Sequence, residues 1–380
     1  MQTKIKSVII LGGYGNFGKR IAQHLIQINE LTIFIAGRSL SKAQNLCQQL
    51  QQSKQCHSVQ PLQIDIDDTN FSNIIRTVSP DLLIHTSGPF QGQDYRVAQA
   101  CIAYHCHYID LADDRHFVSH FAQLNAQLNQ QLNAKPLTLI SGASSVPGLS
   151  SCVISTYLHE FDQLDSIEIA IAPGNQAERG LATLEAILCN TGKPLKIFIN
   201  GQWQTQFGWM SSQKKFFGSI VGHRWLANVD VPDLQLFPAY YRGVQTVTFQ
   251  AGLELTLLHH VMVLMAWLTK KQIIKNWKNK AHYLLKISQW FNFFGSDIGG
   301  MSVRLVGKKK NKRFQLEWLL TAPNGIGPYI PTIPAIIVAE KLIQGQALET
   351  GAQACINLFS IAEFNEIANP MGITTQLVCS

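Results

Sequence analysis

Short apolar runs alternate with segments of helical spacing along the first part of the chain. Ser7–Leu11 is a short apolar run, typical of a strand that is covered on both faces. Phe17, Ile21, Leu25 and Ile28 then recur at the spacing of one helix face. Further strands are predicted at 31–36, 60–66, 81–86, 108–111 and 137–141, separated by helices at 41–52, 69–78, 95–105 and 115–133. This alternation predicts an α/β fold with a Rossmann-type doubly wound parallel sheet, whose ligands bind beyond the carboxyl ends of the strands.

A different pattern, in which strands follow one another more closely, begins near residue 147. Strands are predicted at 167–172, 196–199, 202–208, 246–250, 302–306 and 313–322, and the last two form a hairpin with a lysine-rich tip at 307–312. A chain of 380 residues exceeds the usual size of a single core. We therefore expect a second domain of α/β (α+β) type after the Rossmann domain.

The charge of the chain is local and excludes most polyanion binding. The net charge is +7, but 259–290 carries six lysines without an acid, and 308–313 carries five basic residues. Without those eleven, 20 basic residues face 24 acidic ones, so no nucleic-acid partner is expected. The eight cysteines form no CxxC pair, and no secretory signal begins the chain, so a cytoplasmic location is expected.

Glycines are concentrated between the first strand and the first helix. Gly13, Gly15 and Gly18 form a G-x-G-x-x-G pattern in the strand–turn–helix context of a dinucleotide site. In such a turn, glycines let the backbone approach a pyrophosphate, and the helix N-terminus supplies free N–H groups. We predict that Asn16 and Phe17 also belong to this cofactor loop, the alternative being a turn without a ligand.

The residues after the second strand indicate which dinucleotide binds. Arg38, Ser39 and Lys42 occupy the position where the ribose of the cofactor is read, and no Asp or Glu occurs between Glu30 and Asp65. A carboxylate would accept the ribose hydroxyls of NAD, whereas a guanidinium pairs with the 2′-phosphate of NADP. The segment therefore predicts NADP rather than NAD; the alternative is that Arg38 is an ordinary solvated loop residue.

Residues after strands three to five are expected at the same edge of the sheet. Asp65 follows strand three, and Ser87, Gly88 and Pro89 follow strand four, where a kinked backbone can approach the nicotinamide ribose and ring.

Hydride transfer also requires a proton donor. Tyr95, Asp113 and His85 are candidates by position, and the sequence does not choose among them. His85 can equally be a core histidine, and Asp110 can be structural. We expect no metal site, because the spacing of Cys101, His105, Cys106 and His107 matches no zinc pattern.

Two features of the second region point to substrate and partners. Arg179 precedes a helix and could bind a substrate carboxylate, or it could form a surface ion pair. The segment 255–290 joins a 14-residue apolar run, too short to span a bilayer, to six lysines. It predicts one of three arrangements: peripheral contact with the inner membrane face, a buried helix followed by a basic helix, or a dimer interface. A homodimer is expected.

Several motifs resemble the saccharopine dehydrogenase-like NAD(P)-binding oxidoreductases, and in particular their bacterial branch. They are the N-terminal glycines, HTSGPFQGQDYRVAQACIAYHCHYIDLADD (85–114), SGASSVPGLSS (141–151), APGNQAERGLATLEAIL (172–188), GSDIGGMSV (295–303) and GPYIPTIPAIIVAEKLIQG (327–345). The chain departs from the family in two places: Val146 stands where fungal saccharopine-forming reductases carry Asp before Pro-Gly, and His85 stands where the bacterial branch suggests Asn.

The resemblance implies a domain plan and a reaction class. It implies an NADP-binding Rossmann domain over 1–146, a substrate and dimerisation domain over 147–326, and a segment over 327–380 that returns to the Rossmann domain through a helix at 334–344. Such enzymes form or reduce a C–N bond of an amino acid or polyamine, or reduce enoyl groups of lipids. We therefore expect an NADP-dependent oxidoreductase that transfers hydride to a C=N, C=O or C=C bond of a small metabolite. The alternatives are a catalytically silent NADPH-binding sensor or scaffold and a membrane-surface lipid (enoyl) reductase.

Overall fold

The computed structural model describes residues 4–52, 58–130, 136–178 and 180–380. Its strands are β1 Ser7–Leu11, β2 Thr32–Gly37, β3 Ser58–Gln63, β4 Leu82–His85, β5 His107–Asp110, β6 Thr138–Ser141, β7 Gln163–Ala172, β8 Pro194–Ile199, β9 Gln202–Phe207, β10 Gln213–Phe216, β11 His223–Asn228, β12 Thr246–Ala251, β13 Gly299–Lys309, β14 Lys312–Ala322, β15 Gly351–Ala354 and β16 Thr374–Cys379.

The α-helices are α1 Gly18–Leu25, α2 Leu40–Gln51, α3 Phe71–Val78, α4 Arg96–Ala103, α5 Arg115–Ser119, α6 Asn125–Asn129, α7 Ser150–Tyr157, α8 Leu181–Asn190, α9 Asp233–Tyr240, α10 Thr256–Lys270, α11 Ala281–Gln289, α12 Ile333–Ile343 and α13 Ile361–Ala368. Within the described ranges, no helix combines the length and the apolar character that crossing a membrane requires.

The chain divides into two compact units, and each is discontinuous in sequence. The first comprises 1–149 and 331–359, and the second comprises 150–330 and 360–380.

The first unit contains a parallel sheet of seven strands in the order β15-β6-β5-β4-β1-β2-β3. β4 and β6 are buried along their whole length, as strands covered by helices on both faces must be. Chain order reverses beside β1, so the carboxyl ends of β1, β2 and β4 meet at the switch point where such sheets bind ligands. The prediction of a doubly wound α/β fold is confirmed.

Helix α12 covers this first sheet from a distant part of the sequence. Nine of its eleven residues are buried, and it packs on α1 and β5. His24 on α1 lies 2.9 Å from the carboxylate of Glu340 on α12. The edge strand β15 follows α12 and pairs in parallel with β6.

The second unit is built on a mixed sheet of nine strands. Its main order is β10-β11-β12-β7-β13-β14-β16, with β8 and β9 attached through β12. Only the β12–β7 pair is parallel within the described sheet. The hairpin of β13 and β14 is in register from Gly299 opposite Ala322 to Lys309 opposite Lys312. A second α+β-type unit is thus present, as the strand pattern predicted.

Candidate dinucleotide site

The glycine loop connects β1 to α1 through very close backbone contacts. The N–H groups of Gly12 and Gly13 donate to the carbonyl of Ala36 at 2.8 and 3.0 Å, which fixes the loop against β2. At Gly18, a Cβ atom would lie 2.4 Å from the Gly12 oxygen and 2.7 Å from the Gly13 Cα. No side chain fits there, so this glycine is needed for helix α1 to approach the turn.

The N-terminus of α1 is available to an anion. The backbone N–H groups of Phe17 and Gly18 donate to no acceptor among the described residues, and the first turn of α1 carries no acid. Arg20 donates through its guanidinium to the backbone and side-chain oxygens of Asn16, which fixes the loop before the helix. Free amides and the positive end of the helix dipole are the features that bind phosphate groups.

The predicted ribose-reading residues lie directly beside this loop. The hydroxyl of Tyr14 accepts the N–H of Ser39 at 2.9 Å, and its ring packs on Gly37, where a Cβ would lie 2.6 Å from the ring. Ser39 in turn caps α2 by accepting the N–H of Lys42 at 3.4 Å. Tyr14 therefore joins the glycine loop to the start of α2.

The start of α2 carries basic but no acidic side chains. Arg38 and Lys42 are exposed, and neither side chain forms a hydrogen bond or ion pair with a described residue. The first turn of α2 carries no acid. Asp65, after β3, is half-buried and uses its Oδ1 to accept the N–H of Asp67 at 3.2 Å, so its carboxylate is engaged in its own turn.

The loop after β4 contacts the glycine loop from the other side. The Thr86 hydroxyl donates to the carbonyl of Leu11 at 2.8 Å, and a Cβ at Gly12 would lie 2.7 Å from the Ser87 hydroxyl oxygen. Gln93 donates from its side-chain amide to the carbonyls of Ser87 and Pro89, both at 2.8 Å. The half-buried Ser87, Gly88 and Pro89 are thus held beside the open helix end.

His85 points into the protein core. Its side chain is 1% exposed, its Nδ1 lies 3.1 Å from the Tyr108 hydroxyl, and Phe90 packs against the ring. Burial lowers the pKa of His85 to about 3. The ring is therefore neutral across the physiological pH range.

Tyr95, which precedes α4, is already engaged as a donor. Its hydroxyl donates to the carbonyl of Phe117 at 2.8 Å. Burial, together with the carboxylates of Asp110 and Asp114, raises the pKa of Tyr95 to about 12. These surroundings make the phenol a weaker acid than an exposed tyrosine.

Asp113 lies in the loop after β5, which is the neighbour of β4 in the sheet. Its Oδ1 accepts the side-chain amide of Gln91 at 3.2 Å. Burial raises the pKa of Asp113 above the usual range of an aspartate. The raised pKa favours a protonated carboxyl, the form that donates a proton.

A buried polar network that the sequence did not predict supports this edge of the sheet. Asp110 accepts the N–H of Gly142 at 2.8 Å, the N–H of Ala112 at 2.9 Å and the hydroxyl of Ser141 at 3.0 Å. Burial raises the pKa of Asp110 to about 6. The carboxyl fixes the loops after β5 and β6, in keeping with the structural reading of Asp110.

The sequence also drew attention to the cluster of cysteines and histidines near His107 and to Arg179. His107 accepts the N–H of Thr138 through Nδ1 at 3.1 Å, and no group of three potential metal ligands occurs in the part of the chain that is described. Arg179 lies outside the described residues. Tyr14, Gln91 and Gln93 were missed because nothing in their local spacing marks the contacts that they make.

These features define a class of protein. A glycine-rich turn at the switch point of a doubly wound sheet, with an open helix N-terminus, is the site of a dinucleotide-binding oxidoreductase domain. Residues 8–144 match the family model described as the saccharopine dehydrogenase NADP binding domain. This part of the chain is therefore similar to the NADP-binding domain of saccharopine dehydrogenase-like oxidoreductases, as the motifs predicted, and it is a domain that binds a nicotinamide cofactor.

Solved structures share the fold over almost the whole chain. The apo saccharopine dehydrogenase (L-Glu forming) from Saccharomyces cerevisiae is 12% identical, with a TM-score of 0.66 over 99% of this chain and 100% of that one. The homospermidine synthase from Legionella pneumophila, solved in complex with NAD, is also 12% identical, with a TM-score of 0.64 over 100% of this chain and 92% of that one. No curated protein sequence matches the chain.

Proposed function

We propose that the protein is an NADP-dependent oxidoreductase that transfers hydride to a C=N, C=O or C=C bond of a small metabolite. One observation carries the cofactor choice: Arg38 and Lys42 are exposed without a described partner beside a helix end that lacks any acid. A guanidinium and an ammonium at that position stabilise the doubly charged 2′-phosphate.

In this proposal, different residues would bind different parts of the cofactor. The N–H groups of Phe17 and Gly18 would bind the pyrophosphate, while Arg38, Ser39 and Lys42 would bind the 2′-phosphate. Ser87, Gly88 and Pro89 would border the nicotinamide. NADPH supplies the hydride when it is bound, and the protein must orient the ring and supply the proton.

Asp113 is the proton donor that we propose among the three candidates. Its pKa is raised by burial, whereas His85 is neutral in the core and the hydroxyl of Tyr95 donates to a backbone carbonyl. Gln91 holds Asp113 in place from the β4 loop.

We also propose that Arg179 binds a substrate carboxylate. Substitution of Arg179 should then raise the KM for the substrate.

Calorimetry and a substrate panel test this function together. The full chain should bind NADPH and NADP⁺ with at least about tenfold preference over NADH, since charged hydrogen bonds contribute roughly 1.5–3 kcal/mol. NADPH oxidation is then measured with keto acid and amine pairs, aldehydes and enoyl thioesters. Binding with no turnover across the panel would instead identify a silent sensor or scaffold, and turnover of enoyl thioesters alone would identify a lipid reductase.

Asp113→Asn tests the proton donor once the panel has given a substrate. We expect kcat to fall by about 10²–10⁴-fold, while the Kd for NADPH changes little. In the parent, activity should decline as pH rises through the pKa of Asp113, because only the protonated carboxyl donates. Tyr95→Phe provides the comparison, and a larger loss of kcat in that variant would overturn the assignment.

A further inference from the structure

Exposed apolar side chains are concentrated in one part of the second unit. Among the described residues, ten of the nineteen exposed large hydrophobic side chains lie between positions 257 and 294. A concentration of this kind normally marks an interaction site. The ten are Leu257, Val261, Leu264, Trp267, Ile273, Tyr283, Ile287, Trp290, Phe293 and Phe294.

Helix α10 presents two apolar faces. Its buried face includes Met262, Met265 and Ala266, which pack in the same core cluster as Trp277 and Ala281. The other face carries Leu257, Val261, Leu264 and Trp267, which recur at intervals of four, three and three residues. An ordinary surface helix would carry polar residues on that second face.

The second half of the segment repeats this arrangement. Tyr283, Ile287, Trp290 and Phe294 are spaced by four, three and four residues along α11 and the turn that follows it. Trp290 is 76% exposed and Phe293 is 91% exposed. α11 is anchored through Ala281 and Leu284 in the cluster that also holds α10, so each helix displays its exposed apolar face away from the core that they share.

The turn after α11, which carries Trp290, Phe293 and Phe294, is held by hydrogen bonds within the second unit. Asn175, itself buried, donates its side-chain amide to the carbonyls of Phe291 and Phe294 at 2.7 and 2.9 Å. Glu254 accepts the N–H groups of Asn175 and Ser296 at 2.7 and 2.8 Å. These hydrogen bonds fix the backbone on both sides of Phe293. The exposure of the Phe293 ring therefore follows from the folded structure of this turn.

The charged side chains within this segment have one sign. Six lysines and no acid lie between 255 and 296, and none of the six forms a salt bridge with a described residue. Lys271, Lys275 and Lys286 are exposed. Aromatic rings partition into the headgroup region of a bilayer, and lysines extend from apolar surfaces toward lipid phosphates.

We infer that this aromatic–lysine surface, formed by the ten exposed apolar residues and Lys270, Lys271, Lys275, Lys278, Lys280 and Lys286, binds the interface of an anionic lipid bilayer. A second copy of the chain is the less suitable occupant. A two-fold interface places the same patch on both partners, and lysine is depleted in the cores of such interfaces. The anionic headgroups neutralise the lysines while the rings leave water.

Vesicle flotation of the full-length protein tests this inference. We expect the protein to bind vesicles that contain phosphatidylglycerol and to bind phosphatidylcholine vesicles weakly, with binding reduced by salt. The combined Trp290→Ser, Phe293→Ser and Phe294→Ser variant should bind at least about tenfold more weakly. The combined Trp203→Ser, Phe216→Ser and Ile220→Ser variant is the matched control, since those side chains are exposed elsewhere on the same unit, and it should bind like the parent.

The charge contribution is tested with a second pair of variants. Replacing Lys271, Lys275 and Lys286 with Gln should weaken binding by about a hundredfold, because each basic residue near a charged membrane contributes roughly a fivefold factor. The combined Lys308→Gln, Lys310→Gln and Lys312→Gln variant removes the same charge from the hairpin tip and should leave binding unchanged. Thermal melting and NADPH affinity, measured on all variants, separate this outcome from misfolding and from the cofactor proposal.

Three results would overturn the inference. They are an absence of binding to phosphatidylglycerol vesicles, equal loss of binding in the test and control variants, and equal binding to neutral and anionic vesicles. If light scattering gives a dimer that the aromatic variant converts to a monomer, and vesicles do not bind, then the surface pairs two copies of the chain.

Discussion

In the function that we propose, the choice of NADP over NAD depends on Arg38, and Arg38→Asp should reverse it. The substitution places a carboxylate where the ribose is read, so it repels a 2′-phosphate and accepts ribose hydroxyls. We expect the Kd for NADPH to rise by about 10- to 100-fold and that for NADH to fall, as measured by calorimetry. Arg76→Asp, at another exposed arginine, is the control; unchanged relative affinities in R38D would refute the assignment of Arg38.

Asp233 should make the stability of the protein depend on pH. It is buried, accepts the hydroxyl of Ser150 at 2.5 Å and has no described partner for its Oδ2. Burial raises the pKa of Asp233 to about 7, above its value of about 4 in an unfolded chain. The native state therefore binds this proton more tightly than the unfolded chain does. The resulting contribution to the free energy of unfolding is complete below about pH 4 and is lost as the pH rises through 7.

Comparison of the parent with Asp233→Asn isolates this effect. The amide keeps the acceptor for Ser150 but cannot ionise. The melting temperature of the variant relative to the parent should therefore increase between pH 5 and about pH 8, by at most the equivalent of about 3 kcal/mol, since about two pH units of this window lie below the folded-state pKa. Parallel pH profiles for the two proteins would show that Asp233 does not carry the linkage.

The sequence could predict those residues of the candidate site that follow a strand at a characteristic number of positions. The glycine pattern and Arg38 are recognisable because each is set by its distance from a strand end. Tyr14, Gln91 and Asp110 were not assigned to the site, because their partners lie 25, 22 and 31 positions away and are met only in the folded sheet. Local spacing carries no information about such contacts.

At the level of elements, one side chain forms two hydrogen bonds with the backbone of the edge strand β15. Asn125 donates to the carbonyl of Ala352 at 2.9 Å and accepts its N–H at 2.7 Å. Ala352 is buried, so Asn125→Ala would leave two backbone groups without partners. We expect a loss of about 2–4 kcal/mol in the free energy of unfolding, measured with urea. Asn129→Ala, at an exposed position on α6, should cost little; an equal loss in both variants would argue against the bridge.

The strands of the first unit were largely predictable, and the exceptions have physical reasons. β1 and β4 to β6 are almost entirely buried, so each is recognisable by the apolar residues at its centre. β15 has the sequence GAQA and lies at an edge, where no apolar run is required. The helix predicted at 115–133 is interrupted after Ser119 by a single turn over Phe121–Leu124, because apolar spacing of three or four residues fits both arrangements.

At the scale of the whole molecule, neither compact unit is a continuous segment. The family match ends at residue 144, yet the sheet of the first unit is completed by β15 and covered by α12. The large apolar residues of α12 alone correspond to on the order of 10 kcal/mol of burial, which equals the net stability of a typical domain. Sequence periodicity predicts α12 as an apolar helix but cannot say which sheet it covers.

The first unit should therefore fold alone only if its distant segment is supplied. A Cβ at Gly148 would lie 3.3 Å from Cβ of Pro334, so a short Gly-Ser linker can join 1–149 to 331–359. We expect this joined fragment to melt cooperatively and to bind NADPH, since every proposed cofactor residue lies within it. The fragment 1–149, which leaves the surfaces of α1 and β5 uncovered, should aggregate or lack a transition in calorimetry. If 1–149 melts as sharply and binds NADPH as tightly as the joined fragment, then α12 and β15 are additions to a domain that is already complete.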